Sequence, residues 1–401
     1  MRTIMTPVRP LRPSTALFLV LAGMIAPDAR SEDQPAPLLR RLKFDTLLRG
    51  PWDRGAVNGE GLLFVRGADG VPSARLLFDA DRVLSVYSAD RSRTYEAGRD
   101  YRLADDGSIL ILPPGSRIAS RDEADFFLPN GAPHSIPHRA GHPETSLLFG
   151  EGHFFHDMQV EVRYIPRRAA WTGDRPEFAG DRLPKTVARL RAKRPMTIAV
   201  SGDSISQGYN ASGYTKAPPL MPPYPDLVAR SLGDAYGAKV TLRNHAIAGW
   251  SAGQGVNDFD NLLKDEPDLL IIAYGMNDVG GRNPEGFKAN IAIMLRRLKE
   301  ARPDAEVVLV ASMIGNPDWA ATPTEMFPKY RDALTALTGP GVALADLTAV
   351  WQTLLKRKRF ADLTGNGVNH PNDYGHRLYA QAILALLIDP ALIGPREPVA
   401  P

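Results

Sequence analysis

Two patterns of apolar and polar positions divide the chain. From about residue 41 to residue 167 the apolar residues fall in short alternating or β-rich runs: "GLLFVRG", "ARLLFD", "RVLSVYSA", "SILILPPG" and "MQVEVRYIP". Turn formers such as "NGE", "ADG" and "DDG" separate them at short spacing, and no long helical period interrupts them. Strands so short and so often punctuated predict an all-β domain, an antiparallel sandwich of jelly-roll-like type. From residue 195 the pattern changes. Buried β-type runs at 196–200, 239–242, 269–274, 306–311 and 342–344 alternate with stretches whose apolar residues recur every three or four positions, as in "PYPDLVARSLGDAYG" and "EGFKANIAIMLRRLKEA". Five such runs with crossover helices predict an α/β domain, 195–390, with a doubly wound parallel sheet, and sites in such sheets form at the carboxyl ends of the strands. Residues 168–194, rich in proline and charge, read as the connection between the two domains.

The first residues follow neither pattern. Arg2, Arg9 and Arg12 precede the apolar run "STALFLVLAGMIA", which is followed by the polar "PDARSEDQPAP". The run is too short to span a bilayer comfortably, so residues 1–31 are expected to be a signal peptide, cleaved after Ser31, and the protein to be secreted or periplasmic with no integral membrane segment. Removing them takes away four arginines and one aspartate, and the formal charge falls from +3 to zero. The basic balance of the whole chain therefore carries no argument for a nucleic-acid partner. The absence of cysteine excludes disulfides, thiol catalysis and thiolate zinc sites. The 401 residues, 44% hydrophobic and 23% charged, are enough to bury more than one core.

The candidate chemistry sits where the parallel strands end. "AVSGDSISQGYN" (199–210) turns sharply through Gly-Asp-Ser after the first strand, so that the Ser204 hydroxyl can face a cleft and its own N–H can meet an oxyanion. The tripeptide alone is equally an ordinary strand-end turn. After the second run comes "NHAIAGWSAGQG", where Gly249 lets the backbone approach a ligand closely. After the third comes "AYGMNDVGG", where Asn277 can aim an amide at the same oxygen. Near the C-terminus, "GNGVNHPNDYGHRLYAQAILALL" puts His370 in a loop before an amphipathic helix, placed to serve as general base for Ser204.

Four short blocks in this order resemble the SGNH hydrolases, the GDSL family of esterases and lipases. The resemblance covers about residues 195–390 and implies a flavodoxin-like three-layer domain. It implies Ser204 as nucleophile, the N–H groups of Ser204 and Gly249 with the Asn277 side chain as oxyanion hole, and His370 as base, with no cofactor and no metal. One position departs from the family pattern. Where an aspartate commonly stands three residues before the histidine, this chain has Gly367. The ring of His370 is then oriented by Asn366, by Asp362 or by a backbone carbonyl. Asp373 is expected to cap the last helix.

Several other residues are weighed as structural. His376 falls inside the predicted last helix, His245 reads as a packed histidine, and Asp203 and Asp278 read as loop ties through side-chain to backbone bonds. His134, His138, His142, His153 and His156 are dense enough to suggest a metal site, but "EGHFFHDMQVEVRY" alternates like a strand, and a three-residue offset on a strand points side chains to opposite faces. Trp52, Tyr87 and Tyr95 can grip a sugar, although aromatics of a sandwich more commonly form its core.

The expected function is a secreted serine esterase acting on short acyl, chiefly acetyl, esters. Architecture resembling two-domain carbohydrate esterases implies acetylated carbohydrate, or another small ester, as substrate. The alternatives are a lipase or arylesterase of broader acyl range, a glycan O-acetyltransferase, and an inactive carbohydrate-binding protein.

Overall fold

The computed structural model describes residues 49–393 apart from 54, 140, 169 and 170; the segment read as a signal peptide lies outside them. The region up to residue 166 is built of strands. They are β1 (Val57–Leu62), β2 (Phe64–Arg66), β3 (Pro72–Arg75), β4 (Ala80–Ser88), β5 (Thr94–Tyr95), β6 (Arg102–Leu103), β7 (Ile109–Ile111), β8 (Ser120–Asp122), β9 (Phe127–Pro129), β10 (Ser135–Pro137), β11 (Thr145–Leu148) and β12 (Val160–Pro166). They form a four-stranded sheet in the order β1-β12-β4-β5, a five-stranded sheet β6-β7-β3-β2-β8 and a three-stranded sheet β10-β11-β9. Most neighbours are antiparallel, and β2–β3, β4–β5, β6–β7 and β10–β11 are joined by hairpin-length connections.

The strand expected across 151–164 begins later. Gly152 turns the chain at φ 74°, His156–Met158 is a turn of 3-10 helix, and pairing starts only at Val160. The alternation that suggested a strand belongs to β12 alone. Phe155 is buried beneath the loop that carries Gly367, which holds this stretch off the sheet.

The second half follows the predicted alternation. Helix α1 (Pro184–Arg191) leads into β13 (Met196–Gly202); α2 (Ser204–Gln207), α3 (Ser212–Thr215) and α4 (Tyr224–Tyr236) come before β14 (Val240–Asn244). Then come α5 (Ala252–Leu263), β15 (Leu269–Ala273), α6 (Pro284–Ala301), β16 (Glu306–Ala311), α7 (Phe327–Thr335), β17 (Val342–Asp346), α8 (Leu347–Leu354) and α9 (Asp373–Leu387). The five strands run parallel in the order β14-β13-β15-β16-β17, the doubly wound arrangement. Ile198, Val200, Leu270, Ile271, Val308 and Leu309 are fully buried, because helices cover both faces of such a sheet. The register pairs Gly202 with Ala273 and Val200 with Asn244, which aligns the strand ends that precede Ser204, Asn277 and Gly249.

The stretch read as a linker is partly helical: α1 buries Val187 and Leu190, and the Glu306 carboxylate accepts the N–H groups of Lys185 and Thr186 at its start. The described residues form a single compact unit, in which the β region and the parallel-sheet region share one hydrophobic core. Helix α9 shows why. Nearly all its residues are buried, since α4 covers one side and β1 approaches another, with Arg377 donating to the carbonyl of Gly59 and pairing with Glu161 at 3.3 Å.

Candidate active site

β13 ends in a turn that admits no larger residue than glycine at 202. A Cβ there would stand 2.4 Å from Ser206 Oγ and 3.0 Å from the Ala273 carbonyl. Asp203 caps α2 by accepting the Ile205 N–H at 3.0 Å, and Gly208, at φ 112°, ends the helix after four residues. Ser204 therefore opens α2 at the carboxyl edge of the sheet. His370, in the loop before α9, places Nε2 2.9 Å from Ser204 Oγ. Each of the two residues is 5% exposed.

The loops after β14 and β15 are tied to this corner. Ile247 N–H donates to the Gly202 carbonyl, Ala248 N–H to Gln207 Oε1, and the Asn244 amide to the Ser206 carbonyl. Gly249, at φ 79°, lies in that loop in a conformation other side chains resist. The Asn277 amide donates to the Trp250 carbonyl at 2.9 Å, which brings the third loop against the second and uses one of its two amide hydrogens. Asp278 clamps the same loops through its carboxylate, which accepts the N–H groups of Ala252 and Gly275. Burial raises Asp278 to about 6.

Neither residue proposed from sequence to orient His370 does so. Asn366 Oδ1 accepts the N–H groups of Val368, Asn369 and His370, which fixes the amide with its nitrogen toward His370 Nδ1. An NH2 group cannot accept the ring N–H, and this one donates to Asn369 Oδ1 and Glu151 Oε1. Asp362 faces away, accepting the Leu63 and Arg359 N–H groups beside Lys358. The acceptor is Asn210. Its NH2 donates to the Gly152 and Gly365 carbonyls, so its Oδ1 points at His370 Nδ1 from 2.9 Å. With Nδ1 donating there, Nε2 is left as the acceptor for the Ser204 hydroxyl, the tautomer a general base needs.

The absence of an aspartate at 367 has a steric reason. Gly367 sits at φ 93°, and a Cβ would stand 2.5 Å from the Leu148 carbonyl and 2.8 Å from the Phe155 ring. The end of β11 and the turn after it occupy the space a carboxylate would need. That turn brings Glu151 Oε1 to 3.4 Å from His370 Nδ1. Asn210 and Glu151 were not singled out in the sequence. Asn210 carries a faint signal, an asparagine able to hold φ 62° six residues past the serine, whereas Glu151 carries none.

The remaining candidates are dispersed. His376 is fully buried, with Nε2 donating to the Tyr209 carbonyl and Nδ1 facing the Tyr224 N–H, and burial lowers it to about 4. His245 pairs with Asp265 at 2.6 Å. The cap of α9 is Asn372, whose side chain accepts the Gly375 N–H; Asp373 instead accepts the Ser212 N–H, correcting the expected cap. His134 stacks on Phe154, His138 on His142, and His156 reaches the Pro218 carbonyl. Among the described residues no group of three or more histidines or carboxylates is placed to hold a metal ion. Trp52 and Tyr95 are buried, so neither presents a ring to a sugar.

Asp203 gives a test of the turn that carries Ser204. Burial pushes its carboxyl up to about 7 from the ordinary 3.8, against the Ile205 N–H and the charge of His370. The folded chain thus holds this proton more tightly than the unfolded one, and its share of stability falls as pH rises from about 4 to about 7. Asp203→Asn keeps the cap acceptor and removes the titration. Its urea midpoint, relative to wild type, is expected to rise more at pH about 7.5 than at pH about 4.5; an equal change at both would contradict this.

Residues 200–378 match the GDSL-like Lipase/Acylhydrolase family. The chain carries a domain of that family. Ser204, Gly249, Asn277 and His370 lie inside the matched span, and Glu151 lies outside it. None of the curated proteins matches the chain. Among solved structures, the chain is similar to a two-domain esterase active on acetylated mannans, at 23% identity over 53% of this chain and 54% of that one, with a TM-score of 0.42. It thus spans about half the length of that relative. It is also similar to an acetyl-xylooligosaccharide esterase from Geobacillus Stearmophilus, at 19% identity over 48% of this chain and 94% of that one, TM-score 0.40. A lipase/acylhydrolase from Enterococcus faecalis is 19% identical over 47% and 93%, TM-score 0.37.

Proposed function

We propose that the protein is an exported carboxylic ester hydrolase that cleaves short acyl esters through a Ser204 acyl-enzyme. The observation that carries this reading is the 2.9 Å contact of Ser204 Oγ with His370 Nε2, in a ring whose opposite nitrogen is held by Asn210. Ser204 Oγ attacks the ester carbonyl as its proton passes to Nε2. The oxyanion is received by the N–H groups of Ser204 and Gly249 and the Asn277 amide. The imidazolium then gives its proton to the departing alkoxide, the C–O bond breaks, and the acyl group stays on Ser204. Water attacks that ester with His370 as base, the acid departs, and the proton returns to Ser204.

We assign acetylated carbohydrate as the substrate class. Supporting it, the Tyr209 ring lies edge-on to His370 at 5.1 Å and packs on Tyr214 at 4.9 Å, and Tyr214 is 39% exposed at the rim. Exposed tyrosine beside a nucleophile suits a sugar face. Export rests on the leader-like residues 1–31, and none of the described helices is long and apolar enough to cross a membrane.

The test is acetate release from p-nitrophenyl acetate and acetylated polysaccharides, with p-nitrophenyl octanoate as the long-chain control. Wild type is expected to favour acetate, and Ser204→Ala to lose at least about three orders of magnitude. Faster octanoate turnover would replace the carbohydrate reading with a lipase; no turnover of any ester would remove the hydrolase reading.

A further inference from the structure

We infer that Glu151, supplied by the β region, is the positioning carboxylate of His370 and does the electrostatic work for which Gly367 leaves no room. The inference rests on the ester-hydrolase reading above. Its geometry is that of a clamped residue. Gly150 N–H donates to the Asn366 carbonyl at 3.1 Å, and the Gly152 carbonyl accepts from Asn210 at 2.8 Å. Both neighbours of Glu151 are thus bonded to the two asparagines that flank the imidazole. Between them, Glu151 Oε1 accepts from Asn366 Nδ2 at 3.1 Å and stands 3.4 Å from His370 Nδ1.

Asn210 sets the tautomer but carries no charge. When His370 takes the Ser204 proton, the positive ring needs an anion nearby, and an amide oxygen supplies only a dipole. Other ionisable groups face the ring from α2, α9 and the loop after α2, namely Asp203, His376 and Tyr209. Burial holds His376 neutral and Asp203 protonated up to about 7, so neither is a firm anion. Burial also works against ionisation of Glu151, but the charge of His370 and the hydrogen bond from Asn366 hold its carboxyl below the ordinary value. Tyr214 is the other ionisable neighbour of Glu151, and burial pushes its hydroxyl upward, keeping it neutral. Because the Glu151 side chain is 43% exposed, solvent screens its charge, and the effect is smaller than that of a buried triad aspartate.

The experiment compares Glu151→Gln, Glu151→Asp and Ser204→Ala in the full chain, with kcat and KM for p-nitrophenyl acetate followed across the acid limb of the pH profile. Glu151→Gln is expected to lower kcat by about tenfold to thirtyfold with KM within about twofold. It should also move the acid limb to lower pH, since an imidazole without a neighbouring anion gives up its proton more readily. Glu151→Asp should recover part of both. A loss of rate with the limb unmoved would show a structural wall rather than a charge, and an unchanged Glu151→Gln beside an inactive Ser204→Ala would overturn the inference while leaving the hydrolase reading intact. Full activity in Ser204→Ala would overturn both.

Discussion

His370→Ala is expected to hydrolyse p-nitrophenyl acetate about four orders of magnitude more slowly than wild type, with KM little changed. Nothing else at the corner can take the Ser204 proton. The Asp203 carboxylate accepts the Ile205 N–H at the helix cap, and burial keeps it protonated up to about 7. His376 is the only other imidazole facing this region among the described residues, and its ring is committed to the Tyr209 carbonyl and the Tyr224 N–H. The proposed oxyanion donors survive the substitution, so a residual rate above that of water should persist and should disappear on adding Asn277→Ala. Stopped or steady-state assays with single-turnover controls measure both; a His370→Ala rate within about tenfold of wild type would mean that Ser204 is not activated by this ring.

Lys358→Met is expected to destabilise the fold by about 3 to 5 kcal/mol, lowering Tm by roughly 10 °C. Lys358 and Glu60 are fully buried where the β region meets the parallel-sheet region, with Nζ 2.6 Å from Glu60 Oε1 and 3.3 Å from Asp362 Oδ2. The network is saturated: Glu60 also accepts the Leu77 N–H and the Tyr164 hydroxyl, and Lys358 donates to the Arg75 carbonyl. Methionine fills the space of the lysine stem but leaves two carboxylates buried without their cation. The double variant Lys358→Met with Glu60→Gln removes the pair more evenly and should regain a large part of the loss, which separates an unpaired charge from a packing defect. Thermal unfolding of the two variants beside wild type decides it; a loss within about 1 kcal/mol for Lys358→Met would show the pair to be dispensable.

The sequence by itself determined what depends on neighbours along the chain. Alternation and three-to-four spacing mark the strands and helices, since burial of one face imposes a period on the residues that supply it. The order of the runs then puts Ser204, Gly249, Asn277 and His370 at strand ends and loops, because each lies within a few residues of its own element. The tertiary structure decided what depends on remote contacts. Asn366 looked like a stand-in for aspartate from its position, yet three backbone N–H groups of its own loop consume its carbonyl, and the acceptor for the ring comes from Asn210, 160 residues away. Glu151 approaches across 215 residues through Asn366. The composition shift near residues 168–194 is real, but the two regions share one core, since the burial of Lys358, Glu60 and Arg377 is created only when both are in place. A glycine at 367 reads in the sequence as a missing carboxylate; only the fold shows the Leu148 carbonyl and the Phe155 ring standing where its side chain would go. Local patterns record the period of burial, whereas packing against distant segments leaves no trace in any short window of the chain.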